Sequence, residues 1–125
     1  MNVEIAKGTF LDLLDEVSSV DQQIKLWLNI ENETGLVSSF VEFMNNIDTG
    51  DFEYVVNNLI VDPSLKENLQ RLLSMIDKYE EPKSYRKCKN DVYIVADPKW
   101  KEIRDFAKNL KNSHSDFFDA LKSEA

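Results

Sequence analysis

The sequence predicts an all-α protein, a single domain over residues 1–125 with six or seven helices arranged as stacked antiparallel helix pairs. Apolar residues recur at spacings of three and four along most of the 125-residue chain, which is the period of an α-helix. The few prolines and glycines fall where these periodic segments begin or end. Asp62-Pro63 and Asp97-Pro98 lie 35 residues apart, and each is followed by a Lys-Glu pair, a period that indicates stacked helix pairs.

The first two helices are predicted from capping residues and apolar spacing. Thr9 is expected to cap a first helix that buries Phe10, Leu13, Leu14 and Val17. Ser19 and Gln22 have the spacing of a capping box, which opens a second helix extending to about Thr34, with Gly35 as a left-handed terminator. Apolar residues from Ile24 to Ile30 surround most of this helix, so we expect it to be central and buried on two sides.

The next three helices follow from further apolar stripes. Val37, Phe40, Val41, Met44 and Ile47 predict a third helix, and the segment from Asp48 to Asp51 breaks it. A fourth helix carries Phe52, Val55, Val56, Leu59 and Ile60. Asp62-Pro63 opens a fifth, because proline at the first helical position has no N–H that needs an acceptor. Its stripe is Leu65, Leu69, Leu72, Leu73 and Ile76, and Pro82 ends it.

The C-terminal part contains two further helices and one ambiguous segment. Asp97-Pro98 opens a helix with Trp100, Ile103, Phe106, Ala107 and Leu110, and a short last helix carries Phe117, Phe118 and Leu121. Within residues 83–96, Val92 to Val95 resembles a strand, but a lone strand leaves its hydrogen bonds unmade. We therefore expect a short helix or an extended connector there. The expected core unites Trp27, Phe40, Met44, Val56, Leu69, Leu72 and Ile103.

The sequence has no motif for catalysis, metal binding or cofactor binding, so we expect a protein that is not an enzyme. His114 is the only histidine, and Cys88 the only cysteine. Neither has the second residue that a metal site or a nucleophile–base pair needs. The turn from Asp48 to Asp51 lacks the alternating ligands of a calcium loop, and we interpret it as an interhelical turn. A cytoplasmic location is expected, because no signal peptide or membrane-spanning segment is visible.

The charge distribution is the feature that points to function. The forty residues between Lys25 and Lys66 contain seven acids and no Lys, Arg or His. Residues 1–62 carry a net charge of −10 and residues 63–125 a net charge of +2. An acidic surface repels nucleic acid and accelerates encounters with basic proteins.

This pattern predicts a protein-binding surface on residues 31–62. Helical geometry turns Glu42, Glu53 and Tyr54 away from the apolar stripes, and Asp51 lies in a turn. Tyr54 is expected to be an exposed aromatic residue that anchors the interface. The predicted partner-binding residues are Glu31, Glu33, Glu42, Asp48, Asp51, Glu53 and Tyr54. A solvated face that only keeps the protein in solution is the alternative.

A basic patch supplies a second functional hypothesis. Residues 83–111 carry nine bases and four acids, and Lys101, Arg104, Lys108 and Lys111 form one helical stripe. Such a patch can contact phosphates, as in a nucleic-acid-binding regulatory or adaptor module. The net charge of −10 on the first half disfavours a polyanion. A helical scaffold subunit is a third possibility.

In size, acidity and helical character the chain resembles the small helical immunity proteins of bacterial toxin systems, including those of contact-dependent growth inhibition. The helix opening Asp97-Pro98-Lys99-Trp100-Lys101-Glu102-Ile103 is similar to short helical families of this kind. The segment from Asp77 to Pro82 does not match the Asp-x-x-x-Tyr-Tyr-Pro signature of the family that neutralises nuclease colicins, so no binding residues carry over from it. The resemblance implies a stoichiometric inhibitor of a cognate toxin, a basic nuclease being the expected target.

Overall fold

A computed structural model describes residues 2–124, and over these residues the chain forms nine helices and no strand. The helices are α1 Val3–Ser18, α2 Val20–Trp27, α3 Phe40–Asp48, α4 Asp51–Asn58, α5 Pro63–Lys78, α6 Lys83–Cys88, α7 Val92–Val95, α8 Pro98–Ser113 and α9 Ser115–Glu124. The all-α prediction is confirmed. The number of helices exceeds the six or seven predicted, because residues 83–96 form the two short helices α6 and α7. The antiparallel pairing of helices stays a prediction.

The helix α1 is the centre of the fold. It contacts α2, α3, α4, α8 and α9, while α5 packs on α4 and α8. It buries Phe10, Leu13, Leu14 and Val17, as predicted, and it also buries Ala6 and Leu11. It begins about two turns earlier than expected, because the side chain of Asn2, and not that of Thr9, accepts the N–H of Ile5 as the cap.

Three of the predicted helix starts have the expected capping geometry. The hydroxyl of Ser19 accepts the N–H of Gln22 at 3.1 Å. The carboxylate of Asp62 accepts the N–H groups of Ser64 and Leu65, and that of Asp97 accepts the N–H of Lys99. Pro63 and Pro98 each begin their helix. These local signals identify the helix starts because each cap involves residues at most three positions apart.

The prediction for the second helix is wrong. The helix ends at Trp27 rather than near Thr34, and residues 28–39 form a loop. Asn29 and Glu31 have positive φ angles there, a backbone conformation that ends helices. Gln23 and Trp27 are the buried residues of α2, so this helix is not buried on two sides. The stripe of the third helix is also partly wrong, since Val37 and Val41 are exposed and Phe43 is buried instead.

The buried apolar side chains form one cluster that includes six of the seven expected core residues, with Met44 packed partly exposed at its edge. The ring of Trp27 contacts those of Phe40, Phe43 and Trp100, with centroids 5.9–6.0 Å apart. No helix in the described part of the chain is long and apolar enough to cross a membrane.

A buried polar network joins α1, α2 and α8 inside this core. Gln23 is fully buried, and its amide donates hydrogen bonds to the carbonyl oxygens of Glu16 and Val17 at the end of α1. Its side-chain oxygen accepts hydrogen bonds from Trp100 at 3.2 Å and from Arg104 at 3.0 Å. The network satisfies carbonyls that the end of a helix leaves without partners, and it makes Gln23 the polar link between three helices.

Candidate functional site

The predicted partner-binding residues do not all line one cleft. Glu42 lines one cleft, while Asp48 and Glu53 line another, together with Asp77. Glu31 and Glu33 are exposed in the loop of residues 28–39. The base-free segment therefore contributes acids to two separate clefts, which we name the Glu42 cleft and the Glu53 cleft.

Two of the predicted contacts are less accessible than expected. Tyr54 is partly buried and packs against the core, so the expectation of an exposed aromatic anchor is wrong. Asp51 is also partly buried, as the first residue of α4 after the left-handed Gly50. Helical angles placed Tyr54 away from the stripe of α4, but they did not account for the neighbouring helices that cover its side.

The Glu42 cleft has a volume of about 380 Å³ and lies where α1, α2 and the loop of residues 28–39 meet. Its acidic lining residues are Asp12, Asp15, Glu16 and Glu42, and its apolar ones include Leu26, Leu36 and Val37. Leu36 is 68% exposed and Val37 66% exposed, although both are large apolar residues. Val41, in the first turn of α3, is also exposed. The cleft thus combines a cluster of carboxylates with uncovered apolar surface.

Hydrogen bonds hold the loop of this cleft against α1 and α2. The backbone N–H of Ser38 donates to the carbonyl of Leu26 at 3.0 Å. The hydroxyl of Ser38 donates to Glu16 at 3.3 Å, and the indole N–H of Trp27 donates to the same carboxylate oxygen at 2.6 Å. Glu16 consequently fixes both the loop and the core residue Trp27.

The four carboxylates of the Glu42 cleft are electrostatically different. Burial raises the pKa of Glu16, the charges of Glu42 and Asp12 act in the same direction, and the hydrogen bonds from Trp27 and Ser38 oppose them. Asp15 forms ion pairs with Lys111 at 2.6 Å and Lys122 at 3.5 Å. Asp12 and Glu42 are exposed. They are therefore the two acids of the cleft that are most open to a partner's cation.

Sequence reasoning missed the contribution of α1 to this site. Asp12 and Glu16 are four residues apart, with Asp15 between them, so these acids share one side of the helix. This spacing indicates an acidic side of α1. The three acids lie outside the base-free segment between Lys25 and Lys66, from which the binding surface on residues 31–62 is predicted. The sequence pattern does not distinguish Leu36, and it places Val37 in an apolar stripe facing the core.

The Glu53 cleft is the less complete candidate. It has a volume of about 440 Å³, and Asp48, Glu53 and Asp77 line it together with Ile47, Gly50 and Leu73. Ile47 and Leu73 are half-buried and pack against the core. This cleft therefore offers acids without the strongly exposed apolar side chains of the Glu42 cleft.

Two bases of the predicted basic stripe, Arg104 and Lys101, are buried or paired in the structure. Arg104 is only 8% exposed, and it donates to Gln23 and to the carbonyl of Val95. Burial lowers the pKa of its guanidinium, which the nearby charge of Asp105 opposes. Lys101 is paired with Asp105 at 2.6 Å. The stripe from Lys101 to Lys111 is consequently not a row of free cations.

The remaining candidates for chemistry are isolated. His114 is the C-terminal cap residue of α8, and Cys88 is exposed with its thiol donating to the carbonyl of Ser84. Within residues 2–124 no three His, Cys, Asp or Glu side chains are grouped so that they could hold a metal ion. Thr49 and Gly50 form the turn between α3 and α4, while Asp48 ends α3 and Asp51 begins α4.

No family model, curated protein or solved structure matches this chain.

Proposed function

We propose that this protein is a protein-binding inhibitor of the immunity type, which neutralises a cognate toxin by docking the toxin's basic surface on the Glu42 cleft. The observation that carries the proposal is the combination of exposed Leu36 and Val37 with the carboxylates of Asp12 and Glu42 in one cleft. We name the Glu42 cleft, rather than all of residues 31–62, as the binding surface.

The two kinds of residue in the cleft have different physical roles in binding. Buried apolar side chains at the centre of an interface supply most of the affinity. Surrounding charges accelerate association and select the partner. A partner segment with an aliphatic or aromatic residue beside a lysine or arginine would contact both the apolar side chains and the carboxylates of the Glu42 cleft.

The expected activity of the partner follows from its charge. A nuclease binds its substrate through cationic groups, and a carboxylate-lined surface can occupy those groups. The resemblance to toxin-immunity proteins supports the same function. Occupation of the cationic groups would block the substrate without any chemistry by the inhibitor, consistent with the expectation that the chain is not an enzyme and needs no cofactor.

The nucleic-acid-binding alternative has less support. That alternative requires a stripe of bases that are free to contact phosphates. In the structure Arg104 is buried and Lys101 is paired with Asp105. A helical scaffold role has no specific observation in its favour. We therefore retain the inhibitor as the proposed function and expect a cytoplasmic location for it.

Two charge reversals of equal size test the choice of cleft. Glu42→Lys and Glu53→Lys both alter an exposed glutamate in the base-free segment and change the net charge equally. The probe is the protein recovered from the native host with the wild-type chain as bait, with its binding followed by surface plasmon resonance at several salt concentrations. We expect Glu42→Lys to slow association roughly tenfold and to weaken its salt dependence, and Glu53→Lys to slow it less than about threefold.

A third variant tests the apolar part, and an activity assay tests inhibition. Val37→Ser should accelerate dissociation about tenfold with little change in association, because it removes apolar contact and no charge. The wild-type chain should suppress the toxin's activity at a 1:1 ratio, and Glu42→Lys should require an excess. Equal effects of the two reversals would refute the choice of cleft, and binding without loss of toxin activity would refute inhibition.

A further inference from the structure

A second pocket lies at the start of α2, and the Lys111–Asp15 ion pair links its lining to that of the Glu42 cleft. It has a volume of about 310 Å³, and its lining includes Ser18, Ser19, Asp21, Arg104, Lys108 and Lys111. We name it the Arg104 pocket. It brings the first turn of one helix against the cationic side of another, and nothing in the proposed inhibitor function uses it.

Arg104 lines this pocket and has side-chain donors without a protein acceptor. Its described hydrogen bonds use Nη1 alone, to Gln23 and to Val95. Among the described residues, every fully buried side-chain nitrogen or oxygen has a hydrogen-bond partner. The Nε and Nη2 groups, which have none, must therefore reach solvent, although the residue as a whole is more than nine-tenths buried. Arg104 lines this pocket, and we expect these two groups to meet solvent there.

The guanidinium has no carboxylate paired with it in the described part of the chain. A buried cation without an anionic partner is costly, because neutral acceptors replace only part of its hydration. An oxyanion in the pocket would accept hydrogen bonds from Nε and Nη2 in the two-donor geometry that arginine offers to phosphate.

The first turn of α2 adds backbone donors on the other side of the pocket. Ser19 caps the N–H of Gln22, whereas the N–H groups of Val20 and Asp21 have no acceptor within the helix. Both residues line the pocket. Free N–H groups at a helix N-terminus favour an anion, and the helix dipole acts in the same direction.

The charges around the pocket leave an excess of cations. Asp21 is paired with Lys25 at 3.2 Å, and Asp105 with Lys101 at 2.6 Å. Lys111 is paired with Asp15. Lys108 and Arg104 have no carboxylate in an ion pair among the described residues, although the charge of Asp105 acts on both. The lining therefore carries three cations and two carboxylates.

We propose that the Arg104 pocket binds a small oxyanion of the phosphate class, held by Arg104, Lys108 and the first N–H groups of α2. Inorganic phosphate and the phosphate group of a small ester share this chemistry. The carboxylates of Asp21 and Asp105 at the rim oppose the repeated charges of a nucleic acid.

The experiment is a titration of the ¹⁵N-labelled full chain with sodium phosphate, at constant ionic strength maintained with sodium chloride. We expect saturable shifts of the backbone N–H signals of Val20 and Asp21 and of the Nε–H signal of Arg104. A parallel titration with adenosine monophosphate distinguishes the two sources of phosphate. Tighter binding of the ester identifies an ester ligand, and equal binding identifies the free ion; both results support the pocket.

Two lysine variants of α8 provide the matched comparison. Lys108→Gln removes a charge that lines the pocket, and Lys99→Gln removes the same charge from the same helix outside it. Lys108→Gln should raise the dissociation constant for phosphate roughly threefold to tenfold, and Lys99→Gln less than about twofold. Replacement of Arg104 is avoided as the main test because it also breaks the buried network.

Three outcomes would overturn the proposal. The first is the absence of saturable shifts with phosphate or adenosine monophosphate. The second is an equal loss of binding in Lys108→Gln and Lys99→Gln, which would indicate general charge attraction. The third is saturation with a single-stranded oligonucleotide alone, which would favour a nucleic-acid surface instead.

Discussion

The buried amide of Gln23 gives the sharpest stability prediction. Its side chain forms four hydrogen bonds, two to α1 carbonyls and two from the side chains of Trp100 and Arg104. Gln23→Leu keeps a side chain of similar size but removes all four. The substitution therefore isolates the polar network from the loss of packing volume.

The magnitude follows from the groups that lose their partners. Trp100 is fully buried and loses the acceptor of its indole N–H, while Arg104 retains the 3.3 Å bond to Val95. The carbonyls of Glu16 and Val17 lose the amide of Gln23. Because an unsatisfied buried polar group costs about 1–3 kcal/mol, we expect a total loss of roughly 3–5 kcal/mol in the free energy of unfolding.

Urea denaturation followed by far-UV circular dichroism measures this loss, with Gln22→Leu as the matched control. Gln22 is the neighbouring, half-buried glutamine, and only its backbone N–H takes part in the capping of α2. The control should change the free energy of unfolding by less than about 1 kcal/mol. A loss below about 1 kcal/mol in Gln23→Leu, or one equal to that of the control, would refute the role of the network.

Two further predictions concern Glu16 and Trp27, in addition to the binding experiments above. Burial raises the pKa of Glu16, so the folded protein binds the proton of this carboxyl more tightly than the unfolded chain does. The free energy of unfolding that this difference contributes in wild type is present at low pH and is lost as the pH rises above about 4.3, the pKa of an unperturbed glutamate. Glu16→Gln should therefore gain stability relative to wild type over that rise, as measured by urea midpoints, and a pH-independent difference would contradict this. Trp27→Ala should cost about 3–5 kcal/mol by cavity formation, and free quenching of Trp27 fluorescence in wild type would contradict its 7% exposure.

The local features of the fold could be predicted from the sequence because neighbouring residues determine them. Asp62, Asp97 and Ser19 cap helices through hydrogen bonds to residues two or three positions away. The apolar stripes of α1, α4 and α5 identify the buried side of each helix. The end of α2 could not be predicted in this way, because apolar residues continue past Trp27 while the backbone turns at Asn29.

In the candidate site, too, some features follow from the sequence alone and others depend on tertiary packing. The sequence alone determined that the first half of the chain is strongly acidic and free of bases between Lys25 and Lys66. Only the tertiary structure decided that Glu42 joins the acids of α1, that Tyr54 is partly covered and that Arg104 is buried. Charge along a chain is a local sum, whereas the exposure of a side chain depends on which distant helices pack beside it. Leu36 and Val37 are apolar yet exposed, and only the packing of the surrounding helices could show this.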